Sequence, residues 1–371
     1  MKGTVSRRGK QSWRIRFDIG RAGGKRVTRA HTFRGSRKEA QAKLAELLAS
    51  VGQGSYVEPS KVSVVTFVRA RVDQWEAAGD ITARTAQRYR QLTEKQIAPH
   101  LGATLLQKLT RLDVEGWHTT LRKAGLAART IGHAHRVLGK ALRDAERDGI
   151  VLRNVCKLQK APRVADAEMA IVRDLPGFID KLGGTRLYVP AMVALFAGLR
   201  LGEILALRWN RVDLDGKTIA VREALEWTKA HGIRPKAPKS RAGRRDITLP
   251  EILVDALREH RKAVLELRMQ LGAGRLPDDA LLFANLAGDP LQPSNVSSDW
   301  GEIAECIGMP EITFHGLRHT HASQLIAANV DIATISKRLG HARPSVTLAI
   351  YAHMFTSDDG KAAAAINAAM T

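Results

Sequence analysis

Six side chains in the C-terminal half stand in the order Arg200, Lys239, His315, Arg318, His341 and Tyr351. Their types suit one reaction. A phosphodiester crossing a pentavalent transition state needs cations on its non-bridging oxygens. It also needs a general acid for the leaving alcohol and a nucleophile in line with it. Arginines and histidines can hold the oxygens, an ammonium can deliver the proton, and a phenol can attack. The residues lie in AGLRLGEILALRW (197–209), APKSRAGRRDITLP (237–250), FHGLRHTHASQL (314–325) and LGHARPSVTLAIYAH (339–353).

Each spacing has an ordinary reading beside the chemical one. Arg200 and Glu203, three apart, can be a surface ion pair. They can also be a guanidinium held by a carboxylate while its other donors face a phosphate. His315 and Arg318 repeat that spacing, so both can reach one phosphate, while Leu317 and Leu325 face the core. His319 and His321 stand beside them without an assigned role, one of them free to point into the domain. Lys239 is a solvated loop lysine, or an ammonium that reaches the minor groove and protonates a 5′ leaving oxygen; Lys236 competes for that part. His341, just past a helix end, is a further donor to the phosphate or a proton carrier. Tyr351 is a core aromatic, or a phenol of pKa near 10 that neighbouring cations stabilise as phenolate.

These residues need a scaffold, and periodicity supplies one. Beyond about residue 168, helices are expected around 174–183, 187–197, 202–208, 250–270, 294–307, 315–328 and 331–339. Strands are expected at 217–223 and 244–250, joined by a polar, basic, hairpin-like loop that carries Lys239. The tail KAAAAINAAM (361–370) reads as a short helix with small apolar side chains. Residues 62–160 read as a compact bundle of four or five helices, one capped by Thr82 and carrying Arg84, Arg88 and Arg90. Residues 1–55 read as three short strands and a helix opened by a Ser36/Glu39 capping box. Arg14, Arg16, Arg26 and Arg29 fall on those strands, where a basic sheet can meet a DNA groove. GQGSYVEPS (52–60) and KLQKAPRVADAEMAIV (157–172) read as connections.

Composition narrows the partner. The 371 residues carry a formal net charge of +22, which points to a polyanion, nucleic acid first. Residues 1–55 hold 14 Lys and Arg against Asp18, Glu39 and Glu46, half of the net excess in under a sixth of the chain. Cys156 and Cys306 lie far apart without metal-ligand spacing and read as buried free thiols of a reducing cytosol. No apolar run suggests a membrane span, the basic N-terminus lacks the apolar stretch of a secretory signal, and a cytoplasmic location is expected. No acidic cluster suits Mg²⁺, so neither metal nor cofactor is expected.

Taken together, the AGLRLGEILALRW box, the PKS…R-x-I-x-L loop and strand, the HGLRHTHAS box and LGH…Y-A-H resemble the tyrosine recombinases of the phage-integrase family. The resemblance covers 168–355 closely. It extends more loosely to 62–160, similar to the family's core-site-binding domain, and to 1–55, similar to the three-stranded arm-binding domain. It implies a multidomain fold: a small α+β N-terminal module, an all-α core-binding domain, and a mainly α catalytic domain of mixed α+β type over 168–371. It implies catalytic roles for Arg200, Lys239, His315, Arg318, His341 and the nucleophile Tyr351, with Glu203 in support. It further implies metal- and ATP-independent cutting and rejoining of duplex DNA through a 3′-phosphotyrosyl link, integrating or excising a mobile element. The partners implied are double-stranded DNA at core and arm-type sites, a homotetramer on DNA, a host DNA-bending protein and a directionality factor. Leu201 and His321 depart from common family residues without touching a catalytic position. A type IB topoisomerase shares the covalent chemistry, and an integrase-derived silent DNA-binding protein shares the fold; the basic N-terminal module and the six filled positions favour the recombinase.

Overall fold

The computed structural model describes residues 2–22, 25–164, 169–238, 241–354 and 367–368. Backbone contacts divide the chain into two units, Met1–Ala165 and Asp166–Thr371.

The first unit begins with an antiparallel meander, β1 (Gly3–Gly9), β2 (Ser12–Ala22) and β3 (Lys25–Arg34), followed by α1 (Arg37–Gly52). Alternation along β2 sends Ile15 and Phe17 into the core and Arg14 and Arg16 to solvent, as a period of two requires. The expected capping box is present: Glu39 N–H donates to Ser36 Oγ (3.2 Å), and Ser36 N–H donates to the Glu39 carboxylate (2.7 Å). The helices α2 (Val64–Ala77) and α3 (Ala83–Leu92) follow, then a π-helical turn, Thr93–Ile97, and the short α4 (Ala98–Leu101). Pro99 in α4 has no N–H for the carbonyl of Lys95 and its ring crowds that carbonyl, so the widened turn sits where a regular helix would clash. Then come α5 (Arg111–Lys123) and α6 (Ala128–Arg147). Ile131, Ala134, Leu138, Ala141, Leu142 and Ala145 of α6 form the buried stripe on which the bundle packs. The indole N–H of Trp75 donates to buried Asp144 at 2.8 Å. The expected linker is tied down: Tyr56 packs edge-on against Phe17, and Gln107 donates to the carbonyl of Glu58 (2.7 Å).

In the second unit α7 (Leu175–Leu182) and α8 (Tyr188–Ala197) precede α9 (Leu201–Leu205). Next come β4 (Val212–Asp213), β5 (Thr218–Val221), the hairpin β6 (Ala224–Thr228) and β7 (Gly232–Lys236), and β8 (Arg245–Thr248). The strands β4-β5-β8 make one antiparallel sheet and β6-β7 a separate ribbon. The helices α10 (Glu251–Gln270), α11 (Pro293–Cys306), α12 (Phe314–Ala327), α13 (Ile332–Leu339) and α14 (Pro344–Tyr351) complete it. The helix α8, apolar nearly all round, lies in the core against α10 and α12.

The hairpin-like loop expected between β5 and β8 contains a formed hairpin, β6-β7, ahead of 237–244, whereas the expected burial of both cysteines needs correction. The hairpin's alternation is masked by Glu226, which is buried and held by Lys236 (2.7 Å) and Arg234 (3.1 Å), and by Pro235, which the ribbon's edge strand tolerates. Cys156 is buried but Cys306 is exposed at the end of α11. Among the described residues, no helix is long and apolar enough to cross a membrane.

Candidate active site

The first cation is set by a helix start. Gly198 closes α8 in the left-handed conformation (φ 67°), and Arg200 is the N-cap of α9. Arg200 N–H and Nη1 both donate to the Glu203 carboxylate, at 3.0 and 2.9 Å. Glu203 is 5% exposed, while the Arg200 side chain is 41% exposed. The pair is therefore a buried anchor holding a guanidinium that still reaches solvent. Gly202 lets α9 lie on β6, because a Cβ there would stand 2.6 Å from the Leu225 carbonyl oxygen.

A second guanidinium completes the anchor, and sequence reasoning assigned it no role. Arg245, buried on β8, donates Nη2 to Glu203 (2.9 Å) and Nε to the carbonyl of Arg338 at the end of α13 (2.7 Å). Burial alone would raise the Glu203 pKa, but Arg245 and then Arg200 more than offset it and hold the carboxyl below its ordinary range. Gly340 (φ 67°) makes this approach possible, since a Cβ there would sit 2.7 Å from Arg245 Nη1. The left-handed turn at Gly340 then presents His341.

Arg318, 2% exposed on α12, fixes the centre. It donates Nη1 to the carbonyl of Gly198 (2.5 Å) and Nη2 to the carbonyl of Leu339 (2.6 Å) and to His341 Nε2 (3.1 Å). These bonds tie the Arg200 turn to the His341 turn. Because His341 Nε2 accepts, its Nδ1 carries the proton and donates to Thr347 of α14 at 2.8 Å. Burial, then Arg318 and Arg200, push His341 down to about 4, so it is a neutral donor–acceptor at neutral pH. Burial and Arg200 push Arg318 down to about 9, still cationic.

Tyr351 ends α14 and is 1% exposed. Its phenol oxygen is hydrogen-bonded to His319 Nδ1 at 2.7 Å, and His319 packs edge-on against His315, ring centroids 4.7 Å apart. His315 is at the surface; partial desolvation, Arg318 and Arg200 lower its pKa. Arg318 and Arg200 pull the Tyr351 pKa down, as expected of neighbouring cations. Burial outweighs the pull of Arg318 and Arg200 and raises the phenol to about 12. His319 and His321 now separate. His321 points inward, its Nδ1 bonded to the carbonyl of Leu195 (2.7 Å) and its Nε2 accepting from Arg338 (3.0 Å). His319, given no role from sequence, is the partner of the phenol. Its place one helical turn after His315 was the available signal.

Arg200, His315, Arg318, His341, Tyr351 and Glu203 thus converge. Lys239 lies outside the described residues. Lys236, the competitor, is engaged by Glu226. Among the DNA-binding candidates, Arg14, Arg16 and Arg26 are exposed on the sheet, with Arg26 held by Asp18 (2.5 Å). Arg29 lies across from Phe17, on the helix side, and donates to Glu58 at 2.9 Å. It is a tie between sheet and connection rather than part of the open basic face. Arg84 and Arg88 are exposed on α3.

The model of the phage integrase family matches residues 172–357, half of the chain. The protein belongs to that family: it is a site-specific tyrosine recombinase, an enzyme that breaks and rejoins DNA. A tyrosine recombinase XerC-like protein of Caldanaerobacter subterraneus subsp. tengcongensis is 24% identical over 97% of this chain and 96% of its own. In fold, the chain is similar to the Tn1549 transposon integrase solved with a circular intermediate DNA. That match has a TM-score of 0.70 and 19% identity, over 84% of this chain and 100% of that one. It is also similar in fold to a lambda integrase tetramer bound to a Holliday junction, with a TM-score of 0.54 and 16% identity, over 92% and 96% of the two chains.

Proposed function

We propose that Tyr351 attacks a scissile phosphate of duplex DNA, giving a 3′-phosphotyrosyl link and a free 5′-hydroxyl. A 5′-hydroxyl from a partner duplex then reverses the step on the new strand. The bond energy stays in the covalent link. Arg200, His315, Arg318 and His341 hold the non-bridging oxygens, Glu203 orients Arg200, and Lys239 protonates the 5′ oxygen. The observation that supports this reading is the junction at Arg318: one guanidinium binds the turns that carry Arg200 and His341, within electrostatic reach of the Tyr351 phenol.

The phenol must leave its pocket to reach a phosphate. The helix α14 buries only Thr347 and Tyr351 among its eight residues, so few contacts oppose that movement. DNA contact supplies the bias: a phosphate beside Arg200 and Arg318 rewards the arrangement that brings the phenol to it.

Residues 1–55 bind arm-type sites through the basic sheet, and 62–160 with 168–371 bind the core site. Two strand exchanges need four protomers, as in the lambda integrase tetramer on its junction. The C-terminal tail, most of it outside the described residues, docks on a neighbouring protomer. A host bending protein and a directionality factor assist assembly.

The test uses sheared genomic DNA from the strain that carries the gene. The full chain is incubated with it, denatured, and the DNA that stays attached is sequenced. Adducts clustered at one short site support the reading; adducts spread without sequence preference point to a topoisomerase. Deleting residues 360–371 lowers assembly more than single-site binding; equal loss of both overturns the tail's role.

A further inference from the structure

The proton of the attacking phenol needs a destination, and of the two imidazoles of α12 nearest it His319 touches the phenol while His315 packs on His319 instead. Arg200 and Arg318 cannot accept one. His341 Nε2 is taken by Arg318 and its Nδ1 by Thr347. His319 is different. Its Nδ1 stands 2.7 Å from Tyr351 Oη, at hydrogen-bond distance from the atom that reacts. It follows Arg318 directly in α12, so a phenol that stays on His319 as α14 shifts also stays beside the guanidinium that binds the phosphate.

We propose that His319 is a catalytic residue, the general base that takes the Tyr351 proton during attack and returns it during rejoining. The inference rests on Tyr351 being the nucleophile. In cleavage the Oη–H bond breaks and the proton passes to His319 Nδ1 while Oη–P forms. The P–O5′ bond breaks, and the 5′ oxygen takes a separate proton from its own acid. In rejoining the 5′-hydroxyl attacks phosphorus and gives its proton to the conjugate base of that acid, the Oη–P bond breaks, and the imidazolium gives its proton back to Oη, as microscopic reversibility demands.

The groups that face His319 set its behaviour. They are His315 and Arg318 from α12 and the Tyr351 phenol from α14, with Arg200 close to the phenol. Burial, then His315 and Arg318, push His319 down to about 4, so the imidazole is neutral and able to accept at neutral pH. An arriving phosphodiester adds negative charge to the cluster and favours the imidazolium at the moment it is needed. Ser323, which donates to the His319 carbonyl at 2.9 Å, fixes the helix turn below the ring.

The experiment is single-turnover cleavage by the full chain, with the short duplex recovered by trapping from the strain's genomic DNA, nicked so that cleavage is irreversible. We expect His319→Ala to slow adduct formation by about 10²-fold or more, the range a positioned base supplies. The wild-type rate should be flat across neutral pH, and the Ala variant should instead climb with pH as phenolate accumulates. Added imidazole should restore part of its rate. His319→Asn keeps an acceptor near the Nδ1 position but cannot take a proton, and it should remain slow. An Ala variant that cuts as fast as wild type or faster makes His319 a latch on the resting phenol and overturns the proposal. Full rescue by Asn reduces it to positioning and overturns it equally. If Ala does not fold, the Asn variant and the wild-type pH profile carry the test. Tyr351→Phe separates the two readings: an adduct from that variant, or none from wild type, refutes the nucleophile rather than the base.

Discussion

Arg245→Met is the perturbation that most strains this account of the site. Arg245 has a side chain 3% exposed and Glu203 one 6% exposed, so removing the cation leaves a buried carboxylate with Arg200 alone. Losing one partner of such a pair costs about 3–5 kcal/mol. The unit that holds it spans Asp166–Thr371, and a domain of that size loses about 2–4 °C of melting temperature per kcal/mol. The melting temperature of that unit, read by calorimetry on the full chain, should therefore fall by about 6–20 °C. Acid should narrow the gap. The wild-type carboxyl has a folded pKa below its ordinary 4.5, so its stabilisation is present above that pH and lost as pH falls through the folded value. Without Arg245, burial governs and the carboxyl's contribution reverses sign. A double variant, Glu203→Leu with Arg245→Met, should recover part of the stability but none of the cleavage, since Arg200 has lost its anchor. A single-variant loss below about 1 kcal/mol, or a double variant that cuts DNA, would refute the reasoning.

Further outcomes follow from other contacts. Gly198→Ala forces a Cβ to 2.5 Å from His321 Cδ2 at φ 67° and should cost about 1–2 kcal/mol for the left-handed backbone alone, measured by denaturant unfolding. His319, His321 and His341 have folded values near 4 against an ordinary 6.5, so the unfolded chain binds more protons between those limits. Stability should accordingly be full above pH 6.5 and fall as pH drops toward 4, and His321→Phe should flatten that limb. Deleting residues 1–55 should reduce the slope of log affinity against log salt on long duplexes, because each lost phosphate contact removes about 0.9 from it; an unchanged slope would remove that module from the DNA interface.

Much of the fold was legible because local signals agreed with tertiary packing. Ser36 with Glu39 marked the start of α1, and Leu339-Gly340 marked the end of α13, since a cap and a left-handed glycine act over a few residues. The segment read as hairpin-like, but its strands β6 and β7 were not delimited, because Glu226 reads as a loop residue until the strands bring Arg234 and Lys236 against it. Arg245 fell on the expected strand 244–250, in the R-x-I-x-L pattern, with no assigned role. Its role depends on α9 and α13, 42 and 93 residues away in the chain. Arg29 sat on the expected strand, but the register across from Phe17 decides its face. The chemistry of the phenol was least legible: its types and order point to phenolate stabilisation, whereas its pKa depends on how deeply α14 is seated. His319 and His321 differ by two positions on one helix, and only the packing of α8 and α14 around α12 tells them apart.

The central claim is that residue 351 carries the DNA. The most direct measurement is mass spectrometry of the trapped adduct after nuclease and protease digestion. The account predicts a nucleotide joined through its 3′-phosphate to the peptide containing Tyr351, and no such peptide from Tyr351→Phe. A nucleotide on another residue, or an adduct joined through a 5′-phosphate, would contradict it.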